Sequence, residues 1–155
     1  MDAPKFMGVV ALMYSKLELM LELLAARQLE ITARQCHIVF ADMNMGNKRG
    51  VSQSLLIEAD TAGNKAVCDS IGRAFELMRR NHIFHSVMTF GPPDQFKNVK
   101  FRARAAKNGL KVKAYDLSSE QMHEVANEFV DEITTLMDLA AITDDDLQAY
   151  IDELQ

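Results

Sequence analysis

The sequence predicts an α/β (α+β) fold: a mixed four-stranded sheet covered by helices, in the order α-β-β-α-β-α-β-α-α. Three observations predict it, namely a long helical repeat at the N-terminus, apolar runs bounded by glycine or proline, and capping boxes near the C-terminus. The chain has 155 residues, of which 48% are hydrophobic. That size and composition predict a single domain over 1–155 with a core of its own.

The N-terminal segment, from Lys5 to about Arg34, is predicted to form one long helix. Its apolar residues alternate steps of four and three, which is the spacing of a heptad seam. The seam consists of Phe6, Val10, Met13, Leu17, Met20 and Leu24. Four further apolar residues widen this face: Val9, Leu12, Leu19 and Leu23. The width predicts burial on two sides and therefore a homodimer, although a seam this short is more often packed in the core.

Two strands joined as a hairpin are predicted next, over CHIVFAD and VSQSLLIEAD, because both runs are apolar and rich in β-forming residues. Gly46 and Gly50 punctuate the connection between them. A helix follows, with Asp60 or Thr61 as its predicted cap. Its apolar residues near helical spacing are Ala66, Ile71, Phe75 and Met78.

HIFHSVMTF is predicted to be the third strand and LKVKAYD the fourth. Between them, Pro93 and Gly109 suit the start and the end of a helix over 93–108. A helix between strands favours a mixed sheet covered by helices.

Two capping boxes predict the C-terminal helices. Ser118 with Gln121 begins the first of them, and Thr143 with Asp146 begins a last short one. One side of the first carries Met122, Val125, Phe129, Ile133 and Leu136. Together they form an acidic helical extension of the domain over about 117–155.

Charge is unevenly distributed along the chain. Residues 1–115 hold all 17 basic residues and 10 acids, whereas residues 116–155 hold 12 acids and no lysine or arginine. The stretch FKNVKFRARAAKNGLKVK, residues 96–113, has seven cations and no acid. Such asymmetry points to a basic surface beside an acidic region.

The positive stretch predicts nucleic-acid binding through residues 97–113, with the acidic C-terminal helices modulating or supporting that surface. On a helix its cations would form a row at the spacing of successive turns, which suits a phosphate backbone, and Phe101 would stack on a base. Two cations at the hairpin tip would extend the surface. The predicted contacts are Lys97, Lys100, Phe101, Arg102, Arg104, Lys107, Lys111, Lys113, Lys48 and Arg49.

The positive stretch also has purely structural explanations that compete with nucleic-acid binding. Most charge runs are simply solvated helix faces, and this one also has an internal match in an acidic row on the next helix. That row consists of Glu120, Glu124, Glu128 and Asp131. A different functional class is a protein-binding adaptor or regulatory protein, which would act through the acidic C-terminal helices and the long apolar N-terminal helix, with the acidic last helix docking into a partner. Its partner-binding residues would be Leu147, Tyr150, Ile151 and Leu154.

Enzymatic motifs are weak in this sequence, which does not decide whether the protein is an enzyme but favours a protein that is not one, with no cofactor and no metal expected. A metal-dependent nuclease is the third alternative, using carboxylates at predicted strand ends to hold Mg²⁺. These are Asp42, Glu58, Asp60 and Asp116. The two separated cysteines, Cys36 and Cys68, favour a reducing compartment. The absence of a long apolar run predicts a cytoplasmic protein that does not enter a membrane.

Overall fold

The computed structural model describes residues 3–80, 87–90, 95–102 and 111–155, with side chains described for 4–78 and 118–155. Within these ranges there are six helices and three strands. In chain order they are α1 (Ala3–Leu29), α2 (Ala33–Phe40), α3 (Met45–Ala59), α4 (Asn64–Arg80), β1 (Val87–Phe90), β2 (Gln95–Arg102), β3 (Lys111–Ser118), α5 (Ser119–Ala140) and α6 (Asp144–Leu154).

The predicted α/β class with a mixed four-stranded sheet is wrong, because the chain is predominantly helical. Helices α2 and α3 occupy the two segments predicted to form the first hairpin. Thr32 caps α2 through a capping box with Gln35, and Asn44 caps α3. Ala33, Cys36 and Phe40 are buried at helical spacing, whereas the β-branched Ile38 and Val39 that suggested a strand are exposed. Capping and burial at helical spacing therefore outweigh β-propensity here.

The prediction of a helix over 93–108 is also wrong. Residues 95–102, the part of this segment that the structure describes, form β2. The described strands pair in the order β1-β2-β3, and both pairings are antiparallel. Residues 103–108 of the predicted helix lie outside the described residues. Val99 and Phe101 are two residues apart, which is the period of a strand, whereas the three-residue step from Phe96 to Val99 fits a helical seam.

The predicted N-terminal seam is confirmed as a buried stripe on α1. All six seam residues are almost fully buried, from Phe6 to Leu24. The helix ends earlier than predicted, at Leu29, where Glu30 adopts a left-handed backbone with φ 54° and the Ile31 amide bonds to the Ala26 carbonyl. Because the seam is used by the chain's own core, it gives no support to the predicted homodimer.

Helix boundaries beyond α3 show which capping predictions hold. The Ser118–Gln121 and Thr143–Asp146 capping boxes both form, at the starts of α5 and α6. Asp60 was predicted as a cap for the start of α4, and that is wrong. It ends α3 instead, in a left-handed conformation with φ 42°, and its amide donates to the Ile57 carbonyl.

The chain divides into two compact units. Unit 1 consists of residues 1–11 and 75–129, and its core joins Phe6 and Val10 of α1 to Met122 and Ala126 of α5.

Unit 2 consists of residues 12–74 and 130–155. One buried cluster of this unit joins α1, α2 and α6 through Ala25, Ala26, Ala33, Cys36, Phe40 and Tyr150. Among the helices of the described residues, none is both long and apolar enough to cross a membrane.

Two leucines on α1 test which side of the helix faces the core. Leu17 is fully buried, whereas Leu12 is 56% exposed. We expect Leu17→Ala to lower the free energy of unfolding by about 2–5 kcal/mol, because it removes buried methyl groups and leaves a cavity. Leu12→Ala should cost less than about 1 kcal/mol. Urea denaturation measures both, and equal losses at the two positions would contradict the orientation of α1.

Candidate functional site

The predicted binding residues within 97–113 fall on two neighbouring strands. Lys97, Lys100, Phe101 and Arg102 lie on β2, and Lys111 and Lys113 lie on β3. Arg104 and Lys107 lie outside the described residues. The predicted helical row of cations is therefore replaced by a strand pair.

The register of this pair brings four cations onto one face. Lys100 is opposite Lys113, and Arg102 is opposite Lys111. Residues directly opposite one another share a face of an antiparallel pair, and so do residues two apart on one strand. We call the face shared by these four residues the cationic face.

The cationic face holds four cations close together. Its two rows of cations are two residues apart, or about 6.8 Å along the strands, and neighbouring strands are about 4.8 Å apart. Like charges directly opposite one another destabilise a strand pair. A bound polyanion would neutralise both rows, so the arrangement is more favourable in a complex than in the free protein.

The same register removes two residues from the predicted surface. Lys97 is opposite Asp116 and Phe101 is opposite Val112, and both pairs lie on the face away from the cations. On a helix Phe101 would lie beside the basic row, but on a strand adjacent residues alternate between faces. The predicted stacking role of Phe101 beside Lys100 and Arg102 therefore does not fit the register.

Lys48 and Arg49 were predicted at a hairpin tip, and that placement is wrong because both lie on α3. Lys48 is only 4% exposed, and its Nζ donates to Glu18 Oε1 at 2.7 Å and to Glu22 Oε1 at 2.6 Å. Arg49 is half-buried and its Nε donates to Gln53. We leave both out of the nucleic-acid surface.

Lys48 belongs instead to a buried charge network centred on Glu22, which is 3% exposed. While one carboxylate oxygen accepts from Lys48, the other lies 3.2 Å from His37 Nδ1 and accepts from the Tyr150 hydroxyl at 3.1 Å. We call these four residues the Glu22 network. One carboxylate of α1 is thereby bonded to α2, α3 and α6 in unit 2.

The contacts of the Glu22 network keep its carboxylate ionised. Burial by itself raises the pKa of Glu22, but the hydrogen bonds from Lys48, His37 and Tyr150 outweigh it and hold the pKa below its usual value. Burial by itself would lower the pKa of Lys48, yet its bonds to Glu18 and Glu22 raise it. Burial also raises the pKa of Tyr150, so its hydroxyl stays a donor.

Sequence reasoning missed the Glu22 network although it left a signal. Glu18 and Glu22 are four residues apart on α1, and Glu22 directly follows the buried Leu21. An acid so close to a buried seam requires a partner, because an unpaired buried charge is costly. The partner could not be identified from sequence, since Lys48 was assigned to a hairpin tip.

The predicted partner-binding residues of α6 are used within unit 2. Leu147 and Tyr150 are 4% exposed, and Ile151 and Leu154 are half-buried. Ion pairs of Lys16 with Asp144 and of Arg27 with Asp146 tie α6 to α1. The apolar side of α6 is therefore a contact within the chain and does not form a free docking surface.

The carboxylates predicted at strand ends do not lie there, apart from Asp116 on β3 opposite Lys97. Asp42 follows α2, Glu58 lies in the last turn of α3, and Asp60 ends that helix. Among the side chains that the structure describes, no group of three or more histidine, cysteine or acidic residues could hold a metal ion.

Comparison with protein-family models, with curated proteins and with solved structures finds no match to this chain. Function is therefore inferred from the chain's own residues. They define two features, a cationic strand pair and a buried charge network.

The Glu22 network predicts a pH-dependent contribution to stability. Glu22→Gln removes the charge opposite Lys48, and we expect it to lower the free energy of unfolding at pH 7 by about 3–5 kcal/mol. Because the pKa of Glu22 is lowered in the folded state, its contribution is full above its unfolded value. It is lost as the pH falls through the folded value, so the difference between wild type and variant should shrink below about pH 4.

Glu18→Gln is the matched control, since Glu18 also bonds to Lys48 but its side chain is 38% exposed. We expect it to cost less than about 1 kcal/mol, because solvent screens the pair. Chemical denaturation at several pH values measures both variants. A Glu22→Gln variant as stable as wild type at pH 7 would show that the network is not a major tie.

Proposed function

We propose that the protein binds nucleic acid through the cationic face of β2 and β3. The observation that carries this proposal is the pairing of cation with cation, Lys100 with Lys113 and Arg102 with Lys111. Two such rows concentrate four positive charges in an area of about two residues by two strands. Phosphate groups of nucleic acid are the abundant biological polyanion that suits such a spacing.

Electrostatics distinguish this face from an ordinary solvated one. Surfaces under selection for solubility mix both signs of charge, and cross-strand neighbours of opposite sign stabilise a sheet. Lys97 opposite Asp116 shows that favourable arrangement on the other face. The cationic face has the unfavourable one, which supports a role in binding an anion.

At the register positions next to the cationic rows, the opposite face carries the pairs Val99–Ala114 and Phe101–Val112. In this part of the strand pair, apolar residues lie on one face and charges on the other, as is typical of an antiparallel sheet with one face in the core. Burying four cations without partners would be costly. The pattern thus favours the cationic face as the one that meets a ligand.

The structure weakens the two alternative functions predicted from the sequence. The adaptor hypothesis loses the surfaces it relied on, since the seam of α1 and the apolar side of α6 are packed within the chain. The nuclease hypothesis loses the shared strand-end position of its carboxylates.

A cytoplasmic location and a homodimer remain predictions of the sequence. Both cysteines are free thiols, which agrees with a reducing compartment.

The double variant Lys100→Gln, Lys113→Gln tests the proposal. It removes one row of the cationic face and with it two expected phosphate contacts. We expect weaker binding to a fluorescein-labelled single-stranded oligonucleotide. The slope of log affinity against log salt should become shallower by about 1.4, at about 0.7 per phosphate contact. Fluorescence anisotropy across a salt series measures both quantities.

Lys65→Gln, Lys97→Gln is the matched control. It makes the same change in net charge, but Lys65 is exposed on α4 and Lys97 lies on the face away from the cations. We expect this control to keep nearly the wild-type affinity and slope. Equal losses in both double variants would show that only net charge matters, and wild-type protein that binds no oligonucleotide at low salt would end the proposal.

A further inference from the structure

The cationic face also carries aromatic residues, which bears on the kind of nucleic acid it takes. The row beside Lys100 and Lys113 pairs Asn98 with Tyr115, and the next row pairs Phe96 with Leu117. On β1, Phe90 is opposite Phe96. Three of the four aromatic residues on the described strands therefore share the face of the four cations, and Phe101 alone lies on the other.

Aromatic residues beside cations on one sheet face are the combination that binds single strands. A cationic groove follows the phosphates, and bases that are free of a duplex stack on aromatic rings. Tyr115 is one row from Lys113, or about 6.8 Å along the strand.

From this juxtaposition of Lys100, Lys113 and Tyr115 on one sheet face, we propose that the protein is specific for single-stranded nucleic acid. Phosphates occupy the two cationic rows and a base stacks on Tyr115. This inference rests on the proposed function and adds the substrate class to it. Duplex bases are already stacked on one another and offer no free ring face to Tyr115.

A duplex is the competing ligand, because a two-stranded β-ribbon also fits the major groove. The pairing of β1 with residues 96–99 of β2 leaves the rows of Lys100 and Arg102 as a two-stranded ribbon. A ribbon in a groove would use the cations and leave Tyr115 without a role. The aromatic row therefore separates the two ligands.

The chain contains no tryptophan, so a single substitution introduces a unique fluorophore. We expect a single-stranded oligonucleotide to quench the emission of a Tyr115→Trp variant, because a stacked base quenches indole. Phe101→Trp places the same fluorophore on the opposite face, and its emission should change little. Quenching of both variants alike, or of Phe101→Trp alone, would overturn the assignment of the faces.

Affinity measurements complete the test, with a single-stranded oligonucleotide and its duplex compared at one salt concentration. We expect tighter binding of the single strand, a loss of about 5- to 100-fold for it in Tyr115→Leu, and nearly unchanged binding in Tyr115→Phe, which keeps the ring.

Equal or tighter binding of the duplex, or no effect of Tyr115→Leu, would overturn the single-strand inference while the proposed function stands. Wild-type protein that binds neither form would overturn both. Circular dichroism of each variant shows whether a loss of binding comes from unfolding. If Tyr115→Leu unfolds, the emission of Tyr115→Trp decides the question alone.

Discussion

The architecture of unit 2 depends on one buried ion pair, Glu22 with Lys48. Removing two charges from water is costly, and the pair is tolerated because both ions make further polar contacts. Glu22 accepts from three other helices, and Lys48 also reaches Glu18. Apolar packing is not directional, whereas hydrogen bonds have preferred distances and angles. The network therefore specifies where α2, α3 and α6 lie against α1.

This pair also gives Lys48 a structural role, which distinguishes it from the cations of the cationic face. Lys48 forms an ion pair with Glu22 inside unit 2, whereas the paired cations Lys100 and Lys113 lie on strands of unit 1. The acids of α6 serve the fold as well, since Asp144 and Asp146 bind cations of α1 and Asp146 completes a capping box. Two acids of the C-terminal region, Asp144 and Asp146, are thus explained by helix capping and by ties to α1. Neither role requires them to contact the cationic face.

The sequence predicted the elements whose signals are long or stereochemically specific. The seam of α1 spans five turns, and the capping boxes of α5 and α6 each fix a position by two hydrogen bonds. The wrong predictions came from short apolar runs. The β-branched residues of α2 imitate a strand, and β2 carries apolar residues that also fit a helix. The register of the strand pair could not be predicted from the sequence. It decides which residue of β3 lies opposite Lys100 and therefore which β3 residues share its face.

An NMR titration of ¹⁵N-labelled protein with a single-stranded oligonucleotide tests the central claim most directly. If the cationic face is the binding surface, amide shifts should concentrate at residues 98–102 and 111–115. The amides of α2, α3 and α6, which surround the Glu22 network, should be nearly unaffected. Shifts confined to those three helices, or no shifts under conditions of low salt, would contradict the assignment of nucleic-acid binding to the strand pair.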